Sequence, residues 1–142
     1  MSTPLRLVPL RVITGSTLAV HGFARLFGGP GTRVPEQAQE YLGPEYQEWM
    51  ENGGIDRLAQ RLEAMGVSNP RSVAYAIAGG EFFGGVLLTL GLFTPLAGMA
   101  LAAELGASIK RLHWDQGMAG SDGWEVPALL LASVVTILIN EP

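Results

Sequence analysis

Residues 73–92 read VAYAIAGGEFFGGVLLTLGL, a run of twenty residues in which Glu81 carries the single charge. Twenty residues of α-helix rise about 30 Å, which matches the hydrocarbon core of a bilayer. A helix is the expected form, because a segment in lipid must satisfy its backbone hydrogen bonds internally. The run therefore predicts a transmembrane helix.

Three further stretches are nearly as poor in charge. They are residues 12–27 with one arginine, residues 96–109 with only Glu104, and residues 126–140 with no charged residue. Flanking residues extend each of them toward the length of a membrane span. Residues 87–92 and 129–139 lack the polar face at helical spacing that a soluble helical bundle would show. The pattern predicts an all-α integral membrane four-helix bundle, with helices at about 5–27, 72–92, 95–113 and 125–140.

The composition agrees with that class. Of 142 residues, 48% are hydrophobic and 15% are charged, whereas a soluble domain has roughly a quarter charged residues. We expect one membrane domain. The net charge of −4 argues against nucleic acid as a partner. Cysteine is absent, which excludes disulfides, thiolate metal sites and thiol nucleophiles.

Residues 29–71 are the polar part of the chain. The segment follows the end of the first predicted span at a helix-breaking run, Gly28-Gly29-Pro30-Gly31. Apolar residues recur at helical spacing over 55–65. Tyr46 and Trp49 are the amphipathic rings expected at a membrane–water boundary. We predict a partly helical, amphipathic loop with two short helices on the membrane surface.

Four crossings place both termini on one side of the bilayer and both polar loops on the other. Helix 1 then ends on the loop side just after His21 and Arg25, helix 3 ends there at His113, and helix 4 begins there at Glu125. We therefore expect both histidines and several charges to converge at one membrane face.

Two carboxylates, Glu81 and Glu104, lie within predicted spans. Ionisable residues in lipid are costly unless they are paired, which makes them functional candidates. The alternative is that each is protonated, or is hydrogen-bonded as a link between helices. The sequence leaves both alternatives open.

His21, Glu81 and His113 are the candidate catalytic residues, and Arg25 and Glu125 join them as candidate ligand-binding residues. A pocket of histidine, glutamate and aromatic rings at membrane level would hydrogen-bond a quinone oxygen and pack its ring. A quinone is therefore the cofactor to consider, and we predict no metal site. The alternative for His21 is a capping or interfacial role.

Residues 21–28, His-Gly-Phe-Ala-Arg-Leu-Phe-Gly, resemble the HGxxKLFG end of helix 1 in DoxX-type membrane proteins. Residues 81–94 are similar to that family's EfxGGlLLllGlft, and His113 and Glu125-Val126-Pro127 fall where it has vHxxxG and Eyp. The resemblance implies a multi-pass four-helix bundle in the bacterial cytoplasmic membrane. Arg25 stands where lysine is usual, and Glu104 stands where an apolar residue is usual.

The resemblance implies function less directly. Relatives are associated with a thiosulfate:quinone oxidoreductase subunit and with membrane-anchored oxidative-stress complexes. The first hypothesis is an accessory or structural subunit of a larger redox or energy-transducing complex, with a quinone- or lipid-binding cleft. The others are a quinone-linked oxidoreductase subunit and a small proton-coupled transporter using Glu81 and Glu104. We expect the lipid bilayer and other membrane subunits, or a second copy, as partners, and whether the chain is an enzyme stays open.

Overall fold

The computed structural model describes residues 4–119 and 123–140, and over those residues it is all-helical, which confirms the predicted fold class at that level. A 3₁₀ turn, Leu5–Leu7, precedes the first α-helix, and a π-helical turn, Ile109–His113, and a 3₁₀ turn, Trp114–Gln116, follow the sixth. The helices of the described residues are α1 (Val8–Phe27), α2 (Glu36–Leu42), α3 (Tyr46–Glu51), α4 (Ile55–Ala64), α5 (Pro70–Leu90), α6 (Thr94–Ser108) and α7 (Glu125–Asn140).

Two of these helical segments are long and apolar enough to cross a membrane, Leu5–Phe27 and Pro70–Leu90. The second begins and ends two residues before the sequence-predicted bounds. Proline is favoured at the first position of a helix, and Gly91, with φ +72°, ends the helix in the left-handed region. By themselves α6, with 15 residues, and α7, with 16, are shorter than an ordinary span.

The chain divides into two compact units. The first takes its described residues from 4–19 and 83–140, and the second is Val20–Phe82. Both α1 and α5 contribute residues to each unit. The expectation of one membrane domain stays a prediction.

The core of the first unit draws on α1, α5, α6 and α7 together. Its buried side chains are Leu18, Leu88, Leu101, Leu105, Val134 and Ile137. Outward-facing positions of the same helices are also apolar, with Ile13, Leu90, Leu96 and Ile139 each more than 60% exposed. A surface that is apolar outside as well as inside suits lipid rather than water.

The second unit has two smaller apolar clusters. In one, Ile55, Leu58 and Leu62 of α4 pack against Ala74 and Ala78 of α5. In the other, Ala24 of α1 packs with Val34 and with Tyr46 and Met50 of α3. The first three residues of the helical spacing seen over 55–65, Ile55, Leu58 and Leu62, thus form the buried face of α4.

The polar segment contains three short helices, so the prediction of two was wrong. The first two, α2 and α3, are separated at Gly43-Pro44, where Gly43 has φ +92°. A positive φ is accessible to glycine at little cost, and proline restricts the residue before it, so the dipeptide ends one helix before the next begins.

Candidate functional site

An ion pair joins α1 to α5 within the second unit. Nη1 of Arg25 donates to Oε2 of Glu81 at 2.8 Å. Glu81 is buried, with 5% of its surface exposed, whereas 28% of the Arg25 side chain is exposed. A carboxylate removed from water needs a partner, and a charge-assisted hydrogen bond from a guanidinium is a strong one.

The close approach of the two helices depends on Gly22. A Cβ atom at this position would lie on the backbone of Phe82, so only glycine allows the two backbones to come this near. Arg25 follows Gly22 by about one helical turn, and Glu81 immediately precedes Phe82. The same crossing therefore brings the two charges together.

The first part of α5 extends past the end of α1. Arg25 lies two residues before α1 ends, whereas Glu81 lies eleven residues after α5 begins. The difference of nine residues corresponds to about 13 Å of helix. This extension carries Ala74 and Ala78, which pack against α4. Glu81 is thus deep in α5 but level with the last turn of α1.

A ring stack lies one turn earlier on α1. The imidazole of His21 stacks on the indole of Trp49 of α3, with ring centroids 4.8 Å apart and an interplanar angle of 28°. Tyr46, one turn before Trp49, contacts the indole edge-on at 5.9 Å and donates its hydroxyl to the carbonyl of Val20 at 2.8 Å. Burial raises the pKa of Tyr46, because the phenolate would lose hydration. These contacts hold α3 against α1.

Three phenylalanine rings that contact one another, Phe23, Phe27 and Phe82, lie within two residues of Arg25 or Glu81 in sequence. Phe82 contacts Phe23 at 5.8 Å and Phe27 at 5.7 Å between ring centroids. Phe23 and Phe27 are partly exposed. The rings form an apolar cluster with interplanar angles of 49°, 57° and 89°. It lies close in sequence to a guanidinium and a carboxylate, which suits a ring-shaped ligand with polar edges.

The other predicted site residues lie in the first unit. Glu104 on α6 accepts a 2.9 Å hydrogen bond from the hydroxyl of Ser108, one turn later on the same helix. His113 ends the π-helical turn, and Glu125 begins α7. Arg25 pairs with Glu81 in the second unit, and His21 lies one turn before Arg25 on α1. The convergence of both histidines at one face stays a prediction.

Sequence reasoning placed Tyr46 and Trp49 at a membrane boundary and did not connect them with His21. Their spacing of three residues puts both rings on one face of a helix, which was the available signal. Over residues 4–119 and 123–140, no group of three or more His, Asp or Glu side chains is arranged to hold a metal ion.

Comparison with known proteins bears on these same residues. The family model for DoxX matches residues 6–114, a range that includes His21, Arg25, Glu81 and His113 and stops before α7. Searches of curated proteins and of solved structures found no match. The match covers most of the chain and confirms the resemblance drawn from residues 21–28 and 81–94. The chain therefore belongs to the DoxX family of membrane proteins.

Proposed function

We propose that the chain is an accessory, structural subunit of a larger redox or energy-transducing complex in the bacterial cytoplasmic membrane. The observation that carries the proposal is that candidate site residues make their contacts with other residues of this chain. Arg25 bonds Glu81, His21 stacks on Trp49, and Tyr46 bonds the Val20 carbonyl. Side chains in such contacts stabilise the packing of helices, and this role is the one expected in a structural subunit.

Four membrane crossings belong to this proposal. The core of the first unit draws on α1, α5, α6 and α7, which supports a bundle of these four. With the π-helical turn, α6 continues over residues 94–113, close to the 20 residues that a span needs. The 16 residues of α7 rise about 24 Å, and local thinning of the bilayer accommodates a helix of that length.

The outward face of α6 supports association with another subunit. Ala100, Ala103 and Ala107 are exposed, and a Cβ atom at Gly106 would meet no other atom within 4 Å. In lipid, helices associate through small residues that let their backbones approach. We propose that a transmembrane helix of the partner packs here.

The test is purification from the native membrane in mild detergent, with co-purifying proteins identified by mass spectrometry and by an absorption spectrum. Ala103→Leu enlarges the proposed contact face, and Ala132→Leu makes the same change at an exposed position of α7. We expect the wild type and Ala132→Leu to retain haem- or flavin-bearing subunits and Ala103→Leu to lose them. Recovery of the wild-type chain by itself would contradict the accessory role.

A second candidate is a quinone-linked oxidoreductase subunit. The exposed rings of Phe23 and Phe27 beside Phe82 favour it, because they offer a quinone a stacking surface near donors on Arg25 and His21. Under this proposal the purified chain carries bound quinone, which solvent extraction releases for identification. His21→Ala and Phe27→Ala then lower quinone-dependent turnover at least tenfold. A matched control is Tyr41→Phe, whose ring is 88% exposed. Unchanged turnover in both variants would remove this candidate.

A further inference from the structure

A cleft of about 400 Å³ lies in the second unit, where α1 ends. Its walls are the glycine pairs 28–29 and 53–54 and the first turns of α4 and α5. None of the candidate site residues His21, Arg25 and Glu81 lines it. The cleft is thus distinct from the ion pair and the ring stack.

The lining of the cleft combines apolar and charged side chains. Leu26, Ile55 and the ring of Tyr75 contribute apolar surface, and the exposed residues Arg57 and Arg71 form its polar rim. This combination suits a ligand with a charged group attached to a hydrocarbon portion.

The charge of the rim favours an anion. Arg57 and Arg71 contribute two guanidinium groups, and Asp56 contributes one carboxylate. Nη1 of Arg71 donates to Asp56, and the guanidinium lies over the Tyr75 ring at 5.8 Å, which orients it. Nη1 of Arg57 donates to the Asn52 side chain at 3.2 Å. A guanidinium has five N–H donors, so each arginine has donors beyond these contacts.

We propose that this cleft binds an anionic phosphate ester, with Arg57 and Arg71 on the phosphate oxygens and Leu26 and Ile55 against the adjoining hydrocarbon. Guanidinium groups match phosphate geometry and bind it in a bidentate manner. The cleft begins where a helix of membrane length ends, at the level of phospholipid headgroups. The inference rests on the membrane placement in the proposed function and is independent of the accessory role.

The experiment measures binding to the purified full-length chain in mild detergent by native mass spectrometry. The probes are phosphatidylglycerol, phosphatidylcholine and glycerol 3-phosphate. Arg57→Gln and Arg71→Gln should each weaken phosphatidylglycerol binding about tenfold, because each removes charge-assisted hydrogen bonds. Arg61→Gln, an exposed α4 position that does not line the cleft, is the matched control and should leave binding unchanged.

A variant that is expected to bind more tightly is included, because a loss of folded protein could explain weaker binding but not tighter binding. Asp56→Asn removes the carboxylate from the rim and should tighten phosphatidylglycerol binding severalfold, since it removes repulsion of the phosphate. Binding of phosphatidylglycerol alone would identify a lipid as the ligand. Arginine-dependent binding of glycerol 3-phosphate would identify a water-soluble ester.

Two results would overturn the proposal. One is equal phosphatidylglycerol affinity in Arg57→Gln, Arg71→Gln and Arg61→Gln. The other is binding of phosphatidylcholine as tightly as phosphatidylglycerol with no dependence on Asp56 or the arginines. Because the purified chain is used, failure to find a partner subunit in the native membrane would contradict the accessory role and leave this result untouched.

Discussion

Arg25 donates a 2.8 Å hydrogen bond to Glu81. Arg25 lies two residues before α1 ends, and Glu81 lies eleven residues after α5 begins. The pair therefore relates the last turn of one membrane-length helix to the middle of the other. The carboxylate of Glu81 is buried, whereas 28% of the Arg25 side chain is exposed. Removal of Arg25 therefore takes a charged partner from a carboxylate that has little access to water.

The first prediction concerns this pair. Arg25→Ala should lower the free energy of unfolding by about 3 kcal/mol, because it removes the guanidinium that bonds the buried carboxylate of Glu81. Arg25→Lys keeps the charge and should lower the free energy of unfolding by a smaller amount. The double variant Arg25→Met with Glu81→Leu should recover most of the lost stability, since neither of these two positions then carries a charge. The measurement is chemical unfolding in detergent followed by circular dichroism, and equal stability of the single and double variants would contradict the interpretation.

The class of fold was predictable because charge-poor runs of membrane length depend on local sequence alone. The bounds of α5 have local signals in Pro70 and Gly91, and the predicted bounds of 72–92 missed each of them by two residues. The split between α2 and α3 at Gly43-Pro44 had a local signal that was overlooked. The apolar residues at helical spacing over 55–65 include Met65, but α4 ends at Ala64 and Met65 is 40% exposed. A periodic series does not show where its helix stops.

The contacts of the site were less predictable, because they depend on register between helices. Arg25 and Glu81 were each identified as candidates by their position in a span, but their pairing follows from the Gly22–Phe82 approach, sixty residues apart in the chain. The stack of His21 on Trp49 depends in the same way on where α3 docks. The phosphate-ester cleft draws on segments near residues 28, 54, 57 and 71, which no linear motif connects.

The second prediction tests the helix approach. Gly22→Ala should lower the free energy of unfolding by about 1–3 kcal/mol, because its Cβ atom would fall on the Phe82 backbone and force the helices apart. Gly79→Ala makes the same change on α5 at a position where a Cβ atom meets nothing within 4 Å. That control should gain up to about 1 kcal/mol from helix propensity. Equal losses at the two positions would show that the approach at Gly22 does not constrain the structure.

The third prediction concerns the response to alkaline pH. The pKa of Tyr46 is raised by burial, so the folded state favours the neutral phenol more than the unfolded state does. The resulting stabilisation is fully present below the ordinary tyrosine pKa of about 10 and is lost as pH rises through the raised value. Stability should therefore fall as pH increases above about 10.

Tyr46→Phe isolates that contribution. The variant should lose about 1 kcal/mol at neutral pH with the hydrogen bond to the Val20 carbonyl, and its stability should fall less steeply above pH 10. Tyr41→Phe is the control, because the Tyr41 ring is 88% exposed. The measurement is unfolding at pH 8 to 11 for the three proteins. If wild type and Tyr46→Phe show the same alkaline slope, Tyr46 does not carry the effect.

The last prediction tests the crossings of α5 and α6, for which the absence of cysteine is an advantage. A single cysteine at Ser68, Gln116 or Phe93, each exposed, reports its side through labelling by a membrane-impermeant maleimide in sealed vesicles of known orientation. If residues 94–113 cross the bilayer, Ser68→Cys and Gln116→Cys should react from one side and Phe93→Cys from the other. All three should react once detergent dissolves the vesicles, which controls for accessibility. Reaction of Gln116→Cys and Phe93→Cys from the same side would mean that α6 does not cross, because its two ends would then share one aqueous phase.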